Sequence, residues 1–423
     1  MLTIDNINAI SGPKFLAPAS CPLAGKPGHS ENMVQRSNFP PTDAFSQASP
    51  PSRQLMVETF MRSMSDTIAR LAALRGTIRP RPAQENPDLV ALGAFGANPG
   101  ALGGYTYLPS KCAKNMALVV VLHGCTQTAS GYDIGSGWSR LAEDYGFALL
   151  FPEQRRANNP NLCFNWFNPE DIRRDHGEVF SIRQMIAKVI AEYGIDSRRV
   201  FVTGLSAGGA MTAAMLATYP EVFAGGAIIA GLPYASAATA PEAFDRMRGH
   251  GGPSAKELEQ RLRKASGHKG PWPTVSLWQG SADRTVAPSN ANAIVEQWKN
   301  VHGVDTSPAR VENIGRHQRK VWTDAHGVEV IELHTIAGMD HGTPLDVISG
   351  YGASGPFMLD VGISSTVEIA RSWGLVPSFE KRRNAEPSAT QPENVAGSFA
   401  TGRDRGGIQK VIEDALRSAG LLR

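Results

Sequence analysis

The sequence predicts an α/β fold, a mostly parallel central sheet with helices on both faces. Three observations carry that expectation. Apolar, β-branched runs recur between about residues 105 and 375, spaced widely enough to leave room for crossover helices. Several of the intervening stretches have helical composition. One serine, Ser206, stands where such a run meets a helix-forming stretch, with five Gly or Ala residues among the seven positions from Gly204 to Ala210.

The strands are expected in "MALVVVL", "FALLFP", "RVFVTG", "GGAIIAG", "TVSLWQG" and "VEVIELHTI". These runs are mostly apolar and read as buried strands. Between them, "SIRQMIAKVIAEYG" and "TAAMLATYP" read as helices. Residues 235–272 form an insertion with seven Lys or Arg against four Asp or Glu. It is expected as a small cap, with a solvated loop and helix as the alternative. The main domain spans residues 91–375. Residues 1–54, rich in Pro, Ser, Asn and Gln and without periodicity, are expected to be disordered. In 55–90 an amphipathic helix begins at Val57, carries Phe60, Met61, Met64, Ile68 and Leu71 on one face, and gives way to a Pro-rich linker. Residues 376–423 read as a polar tail with a short final helix.

Composition excludes several classes of function. Of 423 residues, 42% are hydrophobic and 19% charged, the balance of a soluble globular protein. The net charge of +3 comes with no basic stripe or module suited to nucleic acid. No apolar run is long enough for a membrane span. Four cysteines (Cys21, Cys112, Cys125, Cys163) are too few for a disulfide scaffold and lack zinc-site spacing. The N-terminus shows no signal-peptide pattern.

Gly204-Leu205-Ser206-Ala207-Gly208 matches G-x-S-x-G. The pattern is weak alone, but here it follows a strand and precedes a helix. That is the setting of a nucleophile elbow, in which a strained serine projects its hydroxyl from the sheet edge. Strand and helix approach so closely there that a Cβ at the flanking glycines would clash. A serine nucleophile needs a base, and the base needs an orienting acid. Asp283, in the polar loop after "TVSLWQG", fits the acid. His341, in the Gly-flanked loop after the last strand, fits the base. His334 lies within a strand, and His302, His317 and His326 are read in polar turns. Asp340 is a rival orienter, but neighbouring residues seldom point correctly for such a bond. Two backbone N–H groups should face the developing oxyanion. One comes from Ala207. The other comes from Cys125 or its neighbour, in the loop that follows "VVVLHG". This chemistry needs no metal or organic cofactor, and none is expected.

"LHGCTQTA", "FPEQ…ANNPNLCFNWF", "GLSAGGAM" and "AGLPY" together resemble the PHB-depolymerase family of esterases within the α/β-hydrolase superfamily, over roughly residues 90–350. The resemblance implies an α/β-hydrolase fold, a catalytic triad of Ser206, Asp283 and His341, and an oxyanion hole of Cys125 and Ala207. It implies hydrolysis of poly- or oligo-3-hydroxyalkanoate esters, with feruloyl or acetyl esters of plant polysaccharides as the alternative. A peptidase or a non-catalytic binding protein of this fold is less favoured. The resemblance also implies a Cys125–Cys163 disulfide and an extracellular setting, although the N-terminus leaves a cytoplasmic one open. Trp166 and Trp278, with Phe164 and Phe167, are candidates for an apolar substrate wall. The chain shows no stretch suited to a separate polymer-binding module, so soluble oligomers are expected to be favoured over crystalline polymer.

Overall fold

Ten strands hydrogen-bond into one sheet, and two more form a small parallel pair beside it, among the residues 85–377 that the computed structural model describes. The expectations for residues 1–54, for the helix starting at Val57 and for the C-terminal tail lie outside these residues. In chain order the elements are β1 (Val90–Ala91), β2 (Gly103–Tyr107), β3 (Leu118–Leu122), α1 (Ala129–Ser136), α2 (Trp138–Tyr145) and β4 (Ala148–Glu153). There follow α3 (Gly177–Tyr193), β5 (Val200–Leu205), α4 (Ala207–Thr218), β6 (Gly225–Ile229), α5 (Ala240–Met247), α6 (Ala255–Ala265) and β7 (Thr274–Gly280). The last are α7 (Ser289–Lys299), β8 (Arg310–Ile314), β9 (His317–Thr323), β10 (Glu329–Ile336), β11 (Thr343–Leu345), β12 (Met358–Asp360) and α8 (Ser365–Ser372).

The sheet order is β1-β2-β4-β3-β5-β6-β7-β10-β9-β8. The six strands from β4 to β10 in this order are parallel and are the six expected from sequence. Their side chains alternate between two cores. Leu118, Val120 and Leu122 enter the core that α3, α4 and α7 cover, whereas Val119 and Val121 enter the one formed with α1, α2 and α8. A strand apolar at every position is the result, as burial on both faces demands. The outer strands are antiparallel and were not expected. In β8, "RVENI" is mostly exposed, so it carries no apolar run to find. His317, expected in a polar turn, instead opens β9 and is buried.

The 235–272 insertion supplies two helices. The capping box of Ser254 and Glu257 starts α6, in which Leu258 and Leu262 are buried, Leu262 within the core that α3, α4 and α7 cover. Gln297 of α7 donates to the Leu258 carbonyl and ties α6 down. Its partner α5 packs Ala243 and Met247 against Trp166, Ala207 and Val286.

Hydrogen bonds from loop residues to strand carbonyls stitch the C-terminal ends of four neighbouring strands together. Ser206 N donates to Ile229 O, Ala230 N to Trp278 O, and Ser281 N to Ile336 O, at 2.9, 2.8 and 3.0 Å. Residues that follow β5, β7 and β10 therefore emerge along one edge of the sheet, the place where open α/β sheets present their ligand sites.

Candidate active site

Ser206 occupies the turn between β5 and α4 with φ 57° and ψ −116°, a conformation that L-residues rarely adopt. The glycines make that turn sterically possible. A Cβ at Gly204 would lie 2.4 Å from the Gly208 carbonyl oxygen. One at Gly208 would lie 2.4 and 2.5 Å from the carbonyls of Leu122 and His123, where β3 ends. The helix can thus start directly against two strand ends, with Ser206 at its N-terminus and the Ala207 N–H in its first turn.

Asp283 and His341 meet across neighbouring strands. His341 Nδ1 lies 2.8 Å from Asp283 Oδ2. The carboxylate also accepts from Gln279 Nε2 at 3.0 Å, and on its other oxygen from the backbone N–H groups of Thr285 and Val286 at 2.9 and 2.8 Å. An acceptor held by three N–H donors presents a lone pair to the imidazole, so Nδ1 carries the proton and Nε2 the lone pair. Asp340 Oδ1 instead accepts from the His341 backbone N–H, which removes it as the orienter. No hydrogen bond joins Ser206 Oγ to His341 in this structure; such contacts often tighten only with substrate.

The third part of the site is the loop after β3. The Cys125 and Ala207 N–H groups have no acceptor among the described residues. Cys125 is held from several sides. It is disulfide-bonded to Cys163, and Thr126 N donates to Asn161 O at 2.7 Å. Before it, His123 Nε2 accepts from the Gln154 backbone N–H at 3.1 Å, which obliges Nδ1 to carry the proton it directs at the Gly124 carbonyl, 2.8 Å away. Complete burial lowers the His123 pKa to about 4, so this tautomer stays neutral.

Sequence reasoning missed the residues beneath that loop. Glu178, buried at the start of α3, accepts from Gln154 Nε2 at 2.6 Å, from Asn158 Nδ2 and from the Asn165 backbone N–H. Gln154 Nε2 donates in turn to the Cys163 carbonyl. Burial, with the Asp171 carboxylate nearby, pushes Glu178 up to about 8. Asn159, also buried, accepts from Asn161 N and donates to Asn165 Oδ1. The Asn-rich "ANNPNLCFNW" is therefore a loop folded on its own amides. Nothing in the spacing of Glu178 distinguishes it from an ordinary first-turn helix acid.

The aromatic candidates separate. Trp166 packs with Ala207, Leu232 and Val286 beside the site, edge-on to Phe167. Phe164 is fully buried in the core under α3. Trp278 is buried too, its ring stacked 3.9 Å from His334 and its Nε1 donating to Ser276 Oγ. Trp278 therefore belongs to the core below the sheet and not to a substrate wall. His334 in turn bridges His317 and Glu332, which commits it to the same interior network.

The model of the family described as Esterase PHB depolymerase matches residues 102–321. The chain is 44% identical over 292 residues to poly(3-hydroxyalkanoate) depolymerase C of Paucimonas lemoignei, an alignment covering 68% of this chain and 70% of that protein. It is 33% identical over 260 residues to a probable acetylxylan esterase A of Aspergillus clavatus, covering 60% and 83% respectively. Among solved structures, acetyl xylan esterase from Aspergillus awamori superposes with a TM-score of 0.58 at 26% identity, over 68% of this chain and 99% of that one.

Proposed function

The chain belongs to the esterase PHB depolymerase family and is a serine esterase of the α/β-hydrolase fold; on that premise we propose that it cleaves the ester bonds of poly- or oligo-3-hydroxyalkanoates with Ser206, His341 and Asp283. The 2.8 Å pairing of His341 with Asp283, at the sheet edge where Ser206 adopts its elbow backbone, carries this reading.

In the reaction, Nε2 of His341 takes the Ser206 proton as Oγ attacks the ester carbonyl. Negative charge develops on the carbonyl oxygen, and the N–H groups of Cys125 and Ala207 stabilise it. Asp283 holds the imidazole in the required tautomer and offsets the charge of the imidazolium. That imidazolium then protonates the departing alcohol. Water, deprotonated by the same Nε2, attacks the acyl-enzyme, and collapse of the second intermediate frees the acid and Ser206. His123, Gln154 and Glu178 touch no reacting atom; they hold the Cys125 loop in place.

The substrate proposal is supported by the 44% identity to the hydroxyalkanoate depolymerase. Acetyl esters of xylan are the second reading, favoured by the superposition on acetyl xylan esterase over nearly all of that chain. The test compares kcat/KM for hydroxybutyrate trimer, acetylated xylan and methyl ferulate. A serine-directed phosphonate is applied in parallel to wild type and Ser206→Ala. Preference for the trimer and loss of labelling in the variant are expected. Labelling retained by the variant would overturn the nucleophile, and preference for acetylated xylan would overturn the substrate.

A further inference from the structure

Phe357 departs from two habits of folded proteins at once. Its large apolar ring is 40% exposed. Its backbone has φ 62°, in the left-handed region where bulky residues are outliers. The local sequence makes the anomaly sharper. Gly355-Pro356-Phe357-Met358 is a four-residue turn closed by Met358 N to Gly355 O at 3.0 Å. With proline second and a positive φ third, the ordinary third residue of such a turn is glycine. A chain selecting only for a stable turn has no reason to place phenylalanine there.

The surroundings lock the ring next to the base. Thr343 N donates to the Phe357 carbonyl at 2.8 Å, and Thr343 pairs with Met358 in the β11–β12 ladder. Because β11 begins two residues after His341, this ladder couples the turn to the loop that holds the imidazole. Met358 is buried in the core and anchors the far side. The Phe357 ring stands 6.1 Å from the His341 ring, edge to face at 78°. Backbone strain that the fold maintains beside a reactive group points to a function for the residue that carries it.

We propose that Phe357 is a specificity-determining residue, the apolar contact for the alcohol portion of the ester. The inference rests on the assignment of His341 as the general acid and base. In that role the imidazole must deliver its proton to the leaving oxygen, so this oxygen lies within hydrogen-bond reach of the ring. Whatever is bonded to it falls beside the groups that flank His341. The acyl chain lies elsewhere, near Ser206 and the Ala207, Trp166 and Leu232 cluster. Phe357 thus discriminates among alcohols, while the acyl preference is set at the other side of the scissile bond.

Phe357→Gly and Phe357→Asn test this, because both residues tolerate a left-handed backbone and remove the ring. Two substrate series separate the two sides of the ester: butyrates of methanol, n-butanol and benzyl alcohol, and methyl esters of acetic, butyric and hexanoic acid. In both variants the kcat/KM preference for benzyl over methyl butyrate should fall about tenfold, mostly through KM, as one lost aromatic contact implies. Preference along the acyl series should stay within about twofold of wild type. The Gly variant should melt no lower than wild type, since it relieves the strained turn. Unchanged alcohol preference, equal loss in both series, or a Gly variant that fails to fold would each overturn the proposal. Ser206→Ala, assayed alongside, keeps the two claims apart: activity in that variant would sink the triad itself, whereas selectivity decides Phe357.

Discussion

His341 and Asp283, 58 residues apart in sequence, meet through a 2.8 Å contact between Nδ1 and Oδ2, with the Asp283 side chain wholly shut off from solvent. The acid reaches this position because β7 and β10 are parallel neighbours, so the loops at their C-terminal ends face each other. An asparagine here could keep the bonds that one oxygen accepts from the Thr285 and Val286 N–H groups, but its amide nitrogen could not accept from His341 or Gln279.

Asp283→Asn should therefore reduce kcat strongly without unfolding the protein. An amide at this position puts an N–H where an acceptor is needed and turns the imidazole toward the wrong tautomer. A loss of about a thousand- to ten-thousand-fold is expected, by analogy with serine hydrolases that use the same arrangement. Steady-state kinetics with p-nitrophenyl butyrate, together with circular dichroism, checks it. A loss below tenfold, relative to this expectation, would mean that His341 is oriented by something else.

Cys163→Ser should cost both stability and rate. The Cys125–Cys163 bridge spans 38 residues, and closing such a loop contributes about 4 kcal/mol in the chain-entropy picture. It also tethers Cys125, whose N–H is proposed to stabilise the oxyanion. Urea unfolding should show the first effect, and a fall in kcat larger than any change in KM should show the second. An unchanged unfolding midpoint would argue that the bridge constrains little.

His123→Ala removes the acceptor of the Gln154 N–H and the donor to Gly124 O, so the Cys125 loop loses its upstream anchor. A kcat reduction of about tenfold or more with a similar KM is expected if the displaced Cys125 N–H acts in the transition state as proposed. Acid stability changes as well. The folded pKa of His123 is depressed from 6.5 to about 4, so the unfolded chain takes up the proton first. The stability linked to His123 is complete above 6.5 and is lost as pH falls toward 4. Unfolding midpoints of the variant should show a shallower acid slope than wild type.

Glu178 has the opposite dependence. Burial raises its pKa from 4.5 to about 8, so the folded protein retains a proton that the unfolded chain releases. Its contribution is full below 4.5 and is lost as pH rises toward 8. Glu178→Gln cannot ionise and should lack this slope, although it also gives up hydrogen bonds to Asn165 or Gln154 at every pH. The stability advantage of wild type over the variant should thus shrink with rising pH, by an amount of order a few kcal/mol. Denaturant titrations at pH 5 and pH 8 would reveal it. Parallel curves at the two pH values would exclude Glu178 as the titrating group.

The sequence by itself determined the six parallel strands and the elbow at Ser206, because both have short-range causes. A strand covered on both faces must be apolar along its length, and a serine in a tight strand-to-helix turn must be flanked by residues without bulk. It also limited Asp283 and His341 to loops after strands, in the order that a parallel sheet requires. The tertiary structure alone decided what surrounds them. Trp278 reads from sequence as a wall near Asp283, yet it lies inside β7, where alternation turns its ring to the core. His317 reads as a turn residue, yet pairing with β10 buries it. Glu178, Gln154 and His123 support one loop from three separate parts of the chain, and Phe357 reaches His341 only through the pairing of β11 with β12. Periodicity and turn chemistry act over a few residues and are written locally. Hydrogen bonds between elements depend on where the packed sheet brings distant loops together, and no local pattern records that.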